Sequence, residues 1–311
     1  MRRPAATVPH PNSMPRSDPA PHPHIFSVDV EEYFQVNAFE GVVSRQDWPS
    51  YRSRVDIGVD AILALLDRHA TTGTFFCLGW IAEANPKIIR RIANAGHEIA
   101  SHGWWHRRVG TLSPQQFRAD VRDSRRLLED ISGQLVQGFR APSFSIVPGL
   151  EWAFEVLLEE GYRYDSSLFP IRRPGYGYPA AQTAPHLRST PSGVIVEFPL
   201  TTARVAGLQI PAAGGGYFRQ FPYALTRHAF RQCQQEGRTG TFYIHPWELD
   251  TAQPRLPVSW VTGVRHYRGI ADTPARLERL LRDFRFTSAA RRCEWRDLTP
   301  RASRAVGAAT A

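Results

Sequence analysis

Lysine is almost missing from this chain. Lys87 is the only one, so arginine supplies the other 37 of its 38 basic residues. A lysine nucleophile or Schiff base is thereby excluded as the centre of the chemistry. The net charge is +9, yet the arginines fall in ones and twos, with no block of the kind that marks a nucleic-acid surface. The three cysteines, Cys77, Cys233 and Cys293, match no zinc or redox spacing and are too few and too odd for a disulfide framework. They fit a reducing compartment, with Cys77 read as core. No run approaches the ~18 apolar residues that a membrane span needs. The proline-, arginine- and histidine-rich first residues lack the apolar centre of a signal peptide. A cytoplasmic location and no membrane span are expected. With 42% hydrophobic and 22% charged residues over 311 positions, there is ample material for a core.

Residues 1–23 read as a disordered leader, His10, His22 and His24 being solvated tail rather than a metal tract. The ordered part opens with a buried strand, His24-Ile-Phe-Ser-Val-Asp29. Val59, Ile62, Leu63 and Leu66 are spaced as on a helix, and Gly73-Thr-Phe-Phe-Cys-Leu-Gly79 is a second strand. Asn85-Pro86 predicts a helix start with Asn85 as cap, and Ser113-Pro-Gln-Gln116 predicts a capping box. Strands are expected at 97–101, 138–140, 162–165 and 241–245, and helices near 150–160 and 274–284. Between about 169 and 240 the alternation fails amid glycine and proline. The triplet Gly214-Gly-Gly216 lacks the lysine and hydroxyl residue of a phosphate loop. Strand–helix alternation points to an α/β fold with a parallel sheet, open or closed as a barrel.

Polar residues stand where those strands end: Asp29, His102, Arg140, Asp165 and His245. Parallel α/β folds assemble their sites there. His102 and His106, four apart, lie on one side of a helical turn and suit a shared metal ion. Asp29, Glu31 and Glu32 offer carboxylates that can divide the work of ligand and base. Arg140 beside Asp29 would keep that carboxylate ionised, and Asp165 would orient His245, a general-acid candidate. Trp104, Trp105 and Trp247 are candidates for stacking on a sugar.

The set Ser27-Val-Asp-Val-Glu31, Ser101-His-x-x-x-His106, Arg140-x-Pro142, Asp165 and Ile244-His245 resembles the motifs of NodB-homology polysaccharide deacetylases, carbohydrate esterase family 4. Gly214-Gly-Gly-Tyr-Phe-Arg219, His245-Pro-Trp-Glu248 and Arg265-His-Tyr-Arg268 further resemble a subgroup encoded with exosortase-linked exopolysaccharide systems. The resemblance implies a distorted (β/α) barrel with a family-specific C-terminal extension, its N-terminal part at 24–168, the remainder at 169–290 and a tail at 291–311. It implies a divalent metal, usually Zn2+, on His102, His106 and a carboxylate. Asp29 would be the base, His245 the acid, and Arg140 and Asp165 their supports. Most of that family has adjacent aspartates in the first motif, whereas Val30 here separates Asp29 from Glu31. Glu31 is taken as the ligand, with Asp29 the other choice. Trp105, Pro142, Tyr217 and Trp247 are expected to bind substrate.

The expected partner is an N-acetylated polysaccharide, with no nucleic acid. The oligomeric state is left open. The rival readings are a non-catalytic carbohydrate-binding protein and a small-amide hydrolase. No His-Glu-x-x-His helix of a zinc peptidase is present.

Overall fold

The structure, a computed structural model, describes residues 22–173 and 175–292. The expectations for His10, for Cys293 and for most of the leader and tail lie outside those residues. Eleven strands run as β1 His24–Val30, β2 Thr74–Cys77, β3 Glu98–Ser101, β4 Gly138–Phe139, β5 Tyr164–Asp165, β6 His186–Thr190, β7 Gly193–Glu197, β8 Thr202–Val205, β9 Leu208–Pro211, β10 Thr241–Ile244 and β11 Phe286–Thr287. The helices are α1 Val55–Arg68, α2 Gly79–Ala84, α3 Pro86–Asn94, α4 Pro114–Ser132, α5 Trp152–Glu159, α6 Gly215–Gln220, α7 Tyr223–Gln235, α8 Trp260–Tyr267, α9 Thr273–Asp283 and α10 Ala289–Arg292.

One sheet runs in the order β10-β1-β2-β3-β4-β5-β7-β6, with β11 added beside β1. Every pairing is parallel except the β6–β7 hairpin. It curls into a half-barrel, the distorted α/β barrel that the sequence leads one to expect. Because β1, β3, β4, β5 and β10 point the same way, the residues at their C-terminal ends collect on one rim.

The helices cover the sheet as their apolar stripes dictate. In α4, Phe117, Val121 and Leu128 are buried at helical spacing. Ser113 and Gln116 form the expected capping box, and Gly133 ends the helix at φ 68°. In α3 the buried face is Ile88, Ile89 and Ile92. Asn85 stands at its N-cap but makes no side-chain capping bond. Pro86, with no N–H to satisfy, starts that helix. Gly58 on α1 faces the Pro246–Leu249 turn so closely that a Cβ there would lie 2.0 Å from the Pro246 carbonyl oxygen.

His24 is not solvated tail. It is buried on β1, its ring edge-on to Phe230 and Phe284. The stretch 169–240 holds two hairpins and α7. The buried face of α7 (Tyr223, Thr226, Ala229, Phe230, Cys233) keeps helical spacing, but its threonine, alanine and cysteine hide the pattern. Gly214 is no phosphate loop. A Cβ there would meet the Tyr243 carbonyl oxygen at 1.8 Å, so glycine lets this segment lie against β10.

Candidate active site

Three carboxylate or imidazole ligand groups converge at the rim. The metal-capable atoms of Glu31, His102 and His106 lie within 4.8 Å of one another, and all three side chains are buried. His102 and His106 do not share a helical turn. A bend through Gly103 (φ 74°) and His106 itself (φ 50°) brings the rings to 5.3 Å. His102 Nδ1 lies 2.7 Å from the Arg140 carbonyl oxygen, which fixes the proton on Nδ1 and leaves Nε2 as a lone pair. Burial lowers its pKa to about 4, so the ring is neutral at physiological pH. Glu31 Oε2 is buried without a hydrogen-bond partner, 2.8 Å from His106 Nε2. Burial works against its charge, but His106 and His245 hold the carboxylate well below the usual range. Trp247 Nε1 donates to Glu31 Oε1 at 3.2 Å. A buried carboxylate oxygen without a donor, facing two imidazoles, is the chemistry of a divalent-cation site.

Asp29 lies beside this group. Its Oδ1 accepts from Arg140 Nη1 at 2.7 Å, and its Oδ2 lies 4.0 Å from His245 Nε2. The fully buried Arg140 guanidinium also donates to Ser27 Oγ, Ser166 Oγ and the Ser166 carbonyl. The expected Arg140–Asp29 contact is therefore present. Glu32 points elsewhere. Its carboxylate accepts from Ser53 Oγ and from the Arg54 and Val55 N–H groups at the start of α1.

His245 follows β10, as expected, but Asp165 does not orient it. Glu248 does, its Oε2 lying 2.7 Å from His245 Nδ1. The turn that begins at Pro246 folds Glu248 back onto the residue three before it. Glu248 is held in turn by buried Arg219, at 2.5 Å. Burial opposes a charged His245, but Glu31 and Glu248 outweigh it and raise the pKa to about 9. Burial likewise opposes the Glu248 charge, and Arg219 and His245 outweigh it, lowering that pKa to about 2. A cation on Glu31 would cancel part of the pull on His245 and leave Glu248 as its lasting partner. Asp165 instead accepts from Ser167 and faces Glu197 across β5 and β7. Burial raises the pKa of both acids, and the Asp165 charge raises that of Glu197 further.

The cleft over these groups has a volume of about 490 Å3. Tyr217 and Trp247 line it, as expected, together with Asn37, Ser143, Tyr176 and Arg265. Pro142 and Trp105 are not among its lining residues. Pro142 is buried at the start of a turn whose next two residues, Ser143 and Phe144, take positive φ and face the cleft in its place. The Trp105 ring packs on Trp48 at 6.1 Å, outside the cleft. Sequence reasoning singled out the segments that carry Glu248 and Arg219 but missed the roles of both, and it missed Asn37 altogether. The first stands in His245-Pro-Trp-Glu248 at capping-box spacing, a usable signal. Asn37, 2.9 Å from His106 Nδ1 once its amide is turned, had none.

Known proteins resemble this chain in two segments. Residues 55–152 match the family described as Polysaccharide deacetylase, and residues 166–294 match one described as Domain of unknown function (DUF3473). A peptidoglycan deacetylase of Helicobacter pylori is 28% identical over 46% of this chain and 48% of its own length. A peptidoglycan-N-acetylglucosamine deacetylase of Bacillus cereus is 34% identical over 30% of this chain and 34% of its own. The chain thus spans half or less of these relatives. Among solved structures, a putative polysaccharide deacetylase from Mycobacterium smegmatis aligns with a TM-score of 0.57 at 21% identity, over 97% of this chain and 99% of that one. The Puue allantoinase aligns at 0.56 and 18%, over 92% and 96%. These two establish the fold.

Proposed function

We propose that this chain is a NodB-type polysaccharide deacetylase, a metal-dependent hydrolase that removes N-acetyl groups from the amino sugars of a polysaccharide; the matches to the deacetylase family and to a peptidoglycan deacetylase support that reading. One observation carries the reading. A candidate cation site, a carboxylate held by arginine and a histidine held by glutamate all face one cleft.

Glu31, His102 and His106 would hold a divalent ion, Zn2+ by its liking for imidazole and carboxylate. When bound, it supplies Lewis acidity, polarising the acetyl carbonyl and acidifying water. Asp29 acts as base. Arg140 occupies Oδ1, so Oδ2, on the His245 side, takes the proton of the attacking water. His245, charged and hydrogen-bonded through Nδ1 to Glu248, presents its Nε2 proton to the departing sugar nitrogen. Without that proton the amine is a poor leaving group. Tyr217 and Trp247 flank the space a sugar ring would fill.

A role in exopolysaccharide synthesis is part of the proposal, on the resemblance of the C-terminal extension to the exosortase-linked subgroup. Its three subgroup-like segments interlock behind His245: Arg219 grips Glu248 and the carbonyls of His266 and Arg268, and His266 stacks on Trp247 at 4.2 Å. Acetate release from N-acetylhexosamine oligomers, with metal content measured on the same sample, tests the reading. Chelator-sensitive release with about one ion per chain is expected. No release from any oligomer by metal-loaded protein would overturn it.

A further inference from the structure

Residues 102–107 serve two cavities. His102 and His106 line the catalytic cleft, whereas Trp104, Trp105 and Arg107 line a separate groove of about 410 Å3. Both indoles are partly exposed and firmly held. The Trp104 ring lies against Gly79, where a Cβ would come within 2.6 Å of it, and the Trp104 backbone N–H donates to Asp120 Oδ2 at 2.8 Å. Trp105 rests on Trp48, and its carbonyl accepts from Arg45 Nε at 2.8 Å. Glu83, Gln116, Asp120 and Asp123 complete the polar lining, so acids outnumber the single arginine there in a chain of net charge +9. Exposed Glu83 has no ion-pair partner among the described residues, and Asp123 meets only its exposed neighbour Arg122.

Indole faces suit the apolar face of a pyranose, and the exposed carboxylates of Glu83 and Asp123 suit a cation. A hexosamine that has lost its acetyl group offers both, since its amine is protonated at neutral pH. We propose that this groove binds the deacetylated glycan, a run of hexosamines with free amino groups, and so keeps the enzyme on a polymer it has begun to process. The supply of that ligand rests on the deacetylase reading, but the groove's recognition of it does not. The overall positive charge repels such a chain, so affinity must come from a local acidic surface.

The test is calorimetric titration of the zinc-loaded protein, in an Asp29→Asn background that spares the acetylated ligand, with hexamers of glucosamine and of N-acetylglucosamine. Glucosamine hexamer is expected to bind about tenfold tighter. Glu83→Gln combined with Asp123→Asn is expected to erase that preference, and the same pair in an otherwise native chain to leave acetate release from a trimer unchanged. Equal affinity for the two hexamers, or a preference that survives the double substitution, overturns the proposal. The deacetylase reading stands or falls separately, on acetate release by the native chain.

Discussion

His245, Glu248 and Asp165 can be told apart one substitution at a time. His245→Ala removes the proposed proton donor, so kcat should fall by about 10²–10⁴-fold with little change in KM. Glu248→Gln keeps the size but loses the charge that holds the imidazolium, and should lower kcat by about tenfold or more. Asp165→Asn should leave kcat and KM unchanged, since its carboxylate contacts Ser167 and Glu197 and not the histidine. Steady-state kinetics on one N-acetylated oligomer checks all three, and a kcat loss in Asp165→Asn comparable to that in Glu248→Gln would refute the division. Asp29, His102, Arg140 and His245 were legible because each ends a strand whose apolar pattern is plain. Asp165 looked equivalent in sequence, but strand ends do not reveal what the neighbouring strand brings. Here β7 brings Glu197, which lies in a region where the alternation is lost.

At the scale of elements, α1 sets the position of the catalytic turn. Gly58 lets the helix touch the Pro246 backbone, and Pro246–Leu249 carries Glu248 back to His245. Gly58→Ala must push one element away. It should cost about 1–3 kcal/mol by overpacking and lower kcat more than it raises KM. Thermal melts and kinetics on the same preparation test this, and a fully active, undiminished variant would show that the contact does not position the turn. Elements with unbroken apolar periodicity, such as α4, could be read from sequence. So could the strands β1, β2 and β10, which are mostly apolar and buried throughout. Elements whose buried face is built from small or polar residues could not, α7 being the example. Nor could the bend at Gly103 and His106, where left-handed backbone replaces the helical turn that a four-residue spacing suggests.

Over the whole molecule, stability should depend on pH and on metal. His24 and His97 are both buried, and burial first, then nearby arginines, lower each pKa to about 4. The unfolded chain binds these protons near pH 6.5 and the folded one does not. Their stabilising contribution is therefore complete above pH 6.5 and lost as pH falls from there to about 4. Melting temperature measured across that window should decline, and His97→Gln should shallow the slope. The cation site should add to stability only when filled. A thousandfold excess of zinc over its dissociation constant would contribute about 4 kcal/mol. Chelation should lower the melting temperature of the native chain and leave that of His102→Ala unmoved, as differential scanning fluorimetry would show.

The register of β1 has a consequence for how the chain comes into being. On one side its neighbour, β10, lies more than 200 positions further along, so on the ribosome that edge of the strand must stay open until those residues have emerged. Glu31, His102 and His106 leave the exit tunnel long before His245 and Glu248. A polypeptide interrupted between His106 and His245 would carry every proposed metal ligand and no acid. Such a fragment could draw zinc without performing any catalysis, and its uncovered β1 would be the natural target for chaperones or for another unfinished copy.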